Sequence, residues 1–181
     1  MPPKEAAKKV AKKAAKKTPK PQGHDVRRAY EHLHRVNILH GGLAQEPLAH
    51  IDTLSRIANT SLAAGEDKTA ADLLRAAEHI AFGSLASRDG DGSAAEPLLS
   101  AARAEYAQLT ERAAAHWGEG DRSGARGIGG IYKSMLAEAK TAMAAGALHR
   151  ALEYARGAEA LAHAHTGPLR LGAGPSRKLK S

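Results

Sequence analysis

The chain has 181 residues, 43 % hydrophobic and only 3 % aromatic, which suits one globular domain packed by alanine and leucine rather than by rings. It has no cysteine, which excludes disulfides and thiolate metal sites, and no apolar run reaches the roughly 18 residues of a membrane span. The formal net charge of +8 is unevenly spread: residues 1–22 hold eight lysines against Glu5, residues 166–181 hold four basic residues and no acid, and residues 23–165 keep fifteen basic against eighteen acidic residues.

Taken in chain order, residues 1–23 read as a disordered Lys/Ala/Pro-rich tail, since there is almost nothing in them to bury. No apolar run follows the positive start, so it does not read as a secretory signal, and it lacks the Arg/Ser bias of a transit peptide. The prolines and glycine of "TPKPQG" close it. A first helix is expected over about 25–40, with Val26, Ala29, Tyr30, Leu33, Val36 and Asn37 or Ile38 at helical spacing, stopped by Gly41 and Gly42. A second starts at Glu46-Pro47, where proline suits the first turn and glutamate the positive dipole end. Leu48, Ile51, Leu54, Ile57, Ala58 and Leu62 give its stripe, and Gly65 ends it. A third is expected over 67–86, with Leu73, Leu74, Ala77, Ile80, Ala81 and Leu85 facing inward. After the turn "SRDGDGS", "EPLL" opens a fourth helix over 96–117; a fifth covers 131–145 and a sixth 148–165. Residues 166–181 read as a flexible basic C-terminal tail. No segment alternates as a strand does, so the fold class expected for residues 24–165 is all-α, a compact bundle of about six helices arranged as αα-hairpins.

The segment from Ala58, "ANTSLAAGEDKTAADLLRAAEHIA", echoes the one from Ala139, "AKTAMAAGALHRALEYARGAEALA". At a shift of 81, ten of 24 positions are identical, including Thr60/Thr141, Gly65/Gly146, Arg75/Arg156 and Glu78/Glu159, so an internal duplication of a helix–glycine turn–helix unit is expected. The unit resembles a tetratricopeptide-type hairpin in the small residues where its helices cross; it lacks that family's aromatic positions and its steady period of about 34, which points to a compact bundle rather than a superhelix. "GEDKTAADLLRAAEH" also resembles the hairpin of an uncharacterised bacterial helical family, with Gly65 and Asp67 near the turn and Ala77-Glu78-His79 late in the second helix. That family's leader is Arg/Gly-rich, whereas this one is Lys/Ala.

In "KKVAKKAAKK", Lys8, Lys9, Lys12, Lys13, Lys16 and Lys17 fall on one half of a helical wheel and Val10, Ala11, Ala14 and Ala15 on the other. Crowded lysines repel, so the helix needs a polyanion to form. The alanine face lacks the bulky apolar residues that membrane insertion requires, and phosphate is the better-fitting anion. With "TPKP" and Lys20, the stretch resembles the lysine-rich tails of H1-type histones and bacterial H1-like proteins. That resemblance implies backbone binding without base readout. The partner expected is nucleic acid, DNA ahead of RNA but with both open, and the location expected is cytoplasmic or nucleoid-associated.

Other candidates are weaker. "GDRSGARGIGG" reads as a flexible interhelical loop, since the Walker lysine is missing, with Arg122 and Arg126 before a helix start kept as an alternative anion-binding loop. "DGDGSAAE" lacks the glycine and terminal acid of a calcium loop. Glu31/His34 is a lone Glu-x-x-His, and Glu46/His50 and Glu159/His163 read as surface pairs, so no metal or other cofactor is expected. Arg156 and His163 resemble the Arg-x(4–6)-His of HEPN-type RNases, but Arg27/His32 and Arg35/His40 match as well. The sequence thus points to a non-enzymatic, sequence-nonspecific nucleic-acid-associated protein that binds through Lys8, Lys9, Lys12, Lys13, Lys16, Lys17 and Lys20. The alternatives are a protein-interaction module acting through its helix faces, with itself or another protein, and a HEPN-like RNase.

Overall fold

The structure is a computed structural model that describes residues 23–88, 96–119 and 127–167. Six α-helices follow one another: α1 (His24–Leu39), α2 (Gln45–Ala63), α3 (Asp67–Leu85), α4 (Glu96–Glu119), α5 (Gly129–Ala144) and α6 (Leu148–Thr166), with a 3-10 turn over His40–Gly42. Among the described residues there is no strand, and no helix is long and apolar enough to cross a membrane. The fold is an all-α bundle.

The helices α3 and α6 form its centre. The first packs against α1 and α2, the second against α4 and α5, and the two pack on each other. Each therefore has neighbours on three sides, which explains why α6 buries polar as well as apolar positions along most of its length. The α3–α6 pair is antiparallel. Gly157 lies against Ala76 and His79, Gly83 against the Tyr154 ring, and Gly167 against Thr69. A Cβ on Gly83 would stand 3.0 Å from the Tyr154 ring, so glycine is what lets that ring lie on α3.

Helices α2 and α5 both end, and α3 and α6 both start and end, 81 residues apart. Gly65 and Gly146 adopt positive φ, 77° and 75°. Each is the left-handed residue of a Schellman turn: the Glu66 and Ala147 amides donate to Ser61 and Ala142 carbonyls at 2.9 Å, and the glycine amides to Leu62 and Met143 at 3.0 and 3.1 Å. Ala76 and Gly157, also 81 apart, meet each other at the α3–α6 crossing, so an approximate two-fold axis through that contact relates the halves. Gly65→Ala and Gly146→Ala are each expected to cost about 1 to 2 kcal/mol, because alanine strains in this conformation. Urea melts of the two variants check it; equal stability to the parent would count against the turn geometry.

Of the stripes of α2 and α3, Leu48 and Leu62 are half-buried and Leu85 is 46 % exposed, while the others lie inside. On α1 the buried set is Ala29, His32 and Val36. Tyr30 and Ile38, expected inside, are 56 % and 67 % exposed, because α1 packs mainly on α3, with slight contact to α2, and its buried stripe is narrow.

Candidate functional site

Lys8, Lys9, Lys12, Lys13, Lys16, Lys17 and Lys20 lie outside the described residues, as do Arg122 and Arg126 and all of the 89–96 loop but Glu96. What the structure does place is the charge of the body. Six of its ten described arginines pair with glutamates: Arg27 with Glu31, Arg35 with Glu78, Arg103 with Glu96, Arg112 with Glu159, Arg150 with Glu138, and Arg156 with both Glu105 and Glu153.

Two of these pairs repeat about the two-fold axis. Arg35 Nε donates to Glu78 at 2.5 Å, tying α1 to α3, and Arg112 Nε donates to Glu159 at 2.5 Å, tying α4 to α6. Glu78 also accepts from His32 Nδ1 and from Arg35 Nη2 at 3.1 Å. Burial pushes the Glu78 carboxyl up, but the His32 and Arg35 hydrogen bonds outweigh it and hold the group below its ordinary value. Glu153 is set the same way: burial raises it, while His79 Nδ1, donating at 2.8 Å, and Arg156 Nη1, donating at 2.7 Å, bring it down.

Of the pairs weighed in the sequence, Arg156 is held by Glu105 and Glu153, while His163 stands against His116 at 4.1 Å between ring centroids. Glu31 takes the Arg27 guanidinium at 2.8 Å. Neither rival pairing gathers histidine and arginine alone on an open surface, since Glu78 accepts from both His32 and Arg35.

The two ends of the α3–α6 pair differ. At one, a cavity of about 120 Å³ opens between the start of α2, the end of α3, the middle of α5 and the start of α6. Three elements present polar side chains one helical turn apart, Glu46 and His50, Ser134 and Glu138, Arg150 and Tyr154, while Ser84 comes from the last turn of α3 and Arg88 from the extended chain just beyond it. Ile80 and Met135 form its apolar part. Arg150, its side chain 7 % exposed, anchors the wall. It donates to the Gly83 carbonyl at 2.8 Å, to Glu138 Oε2 at 2.8 Å and to Tyr154 Oη at 3.4 Å, and its guanidinium lies 5.0 Å from the Tyr154 ring centroid. The Ser84 hydroxyl donates to the Ile80 carbonyl at 2.7 Å and therefore accepts from Tyr154 Oη at 2.9 Å. This cavity was missed in the sequence, where Glu46/His50 read as a surface pair. The available signal was three polar pairs at i, i+4 spacing on three elements. At the other end, Trp117 is stacked between Tyr132 and His165, with centroids at 4.0 and 4.3 Å, and Ile128 and Ile131 are buried.

No family model, curated protein or solved structure matches the chain.

Proposed function

We propose that the chain is a non-enzymatic, sequence-nonspecific nucleic-acid-associated protein, cytoplasmic or nucleoid-associated, that holds phosphate backbone through its lysine-rich N-terminal segment. The helical body then serves as the carrier of that segment. The observation that supports this reading is the separation of charge. Residues 1–22 hold eight lysines against one acid, while the body, net acidic, has most of its described arginines neutralised by glutamate. A polyanion finds dense uncompensated positive charge at the N-terminal segment rather than on the helices. A duplex is favoured over a single strand because it offers the denser phosphate array and because the low aromatic content gives little for stacking unpaired bases; DNA is put ahead of RNA on the likeness of the segment to H1-type tails.

Duplex binding is expected to fall with salt at a log–log slope of about −6 for seven neutralised phosphates. It is expected to be indifferent to base sequence and to disappear when residues 1–22 are deleted. Fluorescence anisotropy on two unrelated duplexes over a salt series measures all three. A truncated body that binds duplex as well as the intact chain at equal salt would falsify the assignment. No affinity of the intact chain for DNA or RNA in low salt favours instead the reading as a protein-interaction module.

A further inference from the structure

We propose that the cavity at the open end of the α3–α6 pair binds a small zwitterion, a molecule of amino-acid size carrying one ammonium and one carboxylate. The inference is independent of the nucleic-acid reading.

It begins from the two-fold relation. The shift of 81 that carries α2–α3 onto α5–α6 also carries each wall of the cavity onto the opposite end of the molecule. There, the place of His50 is taken by Ile131, that of Glu138 by Ile57, and that of Pro47 by Ile128, all buried. Arg150 corresponds to Thr69 and Tyr154 to Leu73, also buried. One scaffold thus solves the same packing problem twice. The end built on Ile57, Ile128 and Ile131 is mainly apolar, with Thr69 and His165 as its buried polar residues; the other leaves a cavity and buries a guanidinium. Burying an ion costs several kcal/mol before pairing returns it, and a well-packed apolar replacement is commonly as stable or more so. Stability therefore does not account for the polar end, whereas a ligand does.

The hydrogen bonds define the ligand. Arg150, Tyr154 and Ser84 form a closed relay that ends on main-chain carbonyls, so these groups position the wall. Glu138 engages Arg150 through Oε2 alone and keeps Oε1 as an acceptor. Glu46 on one side of the mouth and Arg88 on the other form no ion pair with another described residue, and His50 stands one turn from Glu46. The mouth thus offers a carboxylate that needs a cationic donor and a guanidinium that needs an anionic acceptor. A simple anion or a simple amine satisfies one of them and leaves the other exposed to like charge. A cavity of about 120 Å³ takes roughly five or six non-hydrogen atoms, by comparison with one of about 150 Å³ that holds benzene. Glycine and alanine are of this size, and serine is one atom larger.

The test uses the full chain with glycine, L-alanine and L-serine as probes, and acetate and methylammonium as single-charge controls. Thermal unfolding and two-dimensional amide NMR are the readouts. At least one zwitterion is expected to raise the Tm and to shift the amide signals of residues 84, 134 and 150 saturably in the millimolar range, while both controls leave them unmoved. Glu46→Gln and Arg88→Gln, both at exposed positions, are expected to keep the unliganded Tm and to weaken binding about tenfold each, the effect of one charge-assisted hydrogen bond. No saturable shift with any of the three zwitterions overturns the proposal. So does an equal response to acetate or methylammonium alone, or unchanged affinity in both variants.

Discussion

Replacing Glu78 with alanine is expected to lower the stability of the fold by about 3 kcal/mol or more, among the largest effects of any single substitution here. The carboxylate is 10 % exposed and is the shared acceptor for His32, itself 11 % exposed, and for Arg35. Removing it takes away the carboxylate that His32 and Arg35 share inside the α1–α3 interface and leaves His32 Nδ1 with only Arg35 Nη2, at 2.9 Å. Arg35, nearly half exposed, can turn out to solvent, which keeps the loss toward the lower end of the 3 to 5 kcal/mol range for broken buried pairs. Glu159→Ala, its counterpart under the two-fold, is expected to cost less, because its partner Arg112 is exposed and His163 feels its charge without sharing the Arg112 hydrogen bond. Urea denaturation followed by Trp117 emission ranks the two. A Glu78→Ala loss below about 1 kcal/mol would mean that the pair is not formed as described. Replacing Glu78, His32 and Arg35 together with apolar residues is expected to recover much of the loss, since it removes the orphaned polar groups as well.

Acid is expected to unfold the protein in two stages. His163 has its folded value pushed below 6.5 by burial and by the neighbouring His116, against an opposing pull from Asp72. A histidine held neutral in the fold gains a proton more readily when unfolded, so stability declines as pH falls below about 6.5. Glu78 and Glu153 follow. Their folded values lie below 4.5, so the stability they contribute is complete above 4.5 and is lost as pH falls through the folded values. Asp72 works in the opposite sense, since burial raises it above 3.8, and its protonation returns some stability as the two glutamates begin to fail. Unfolding free energy measured from pH 7 to pH 3 should therefore show a shallow decline and then a steep one. His163→Asn removes the shallow stage, and Glu78→Gln softens the steep one. A flat profile down to pH 4 in the parent chain would contradict the first stage.

The helices were legible because alanine and leucine recur at helical spacing and because glycine and proline punctuate them. Glu46-Pro47 and Glu96-Pro97 open helices, and Gly65 and Gly146 close them. Each expected helix lies close to its observed bounds; α5 begins two residues early, at Gly129, inside a stretch read as a loop. The buried charges were not legible. Apolar periodicity assigns every charged position to the outer face, which holds for a helix with one neighbour. For α3 and α6, packed on three sides, it puts Glu78, Glu153, Glu159 and Arg150 outside when they are inside. The echo between segments did carry a hint, since Glu78/Glu159 and Arg75/Arg156 match where alanine cannot explain the match. The cavity needed the fold itself, because its polar residues come from four stretches spread over more than 100 residues of the chain.

The aromatic stack at the sealed end has an optical consequence. Trp117 is the chain's sole indole, and it lies between Tyr132 and His165 at the last turn of α6, whereas Arg150 and Tyr154 meet the cavity at the first turns of the same helix. A helix of 19 residues is a stiff rod about 28 Å long. The molecule therefore carries its fluorophore at one pole and its polar mouth at the other. Trp117 emission follows unfolding of the bundle. Occupation of the mouth reaches it only as a displacement of the whole rod, so tyrosine absorbance at Tyr154 is the local gauge and tryptophan emission the remote one.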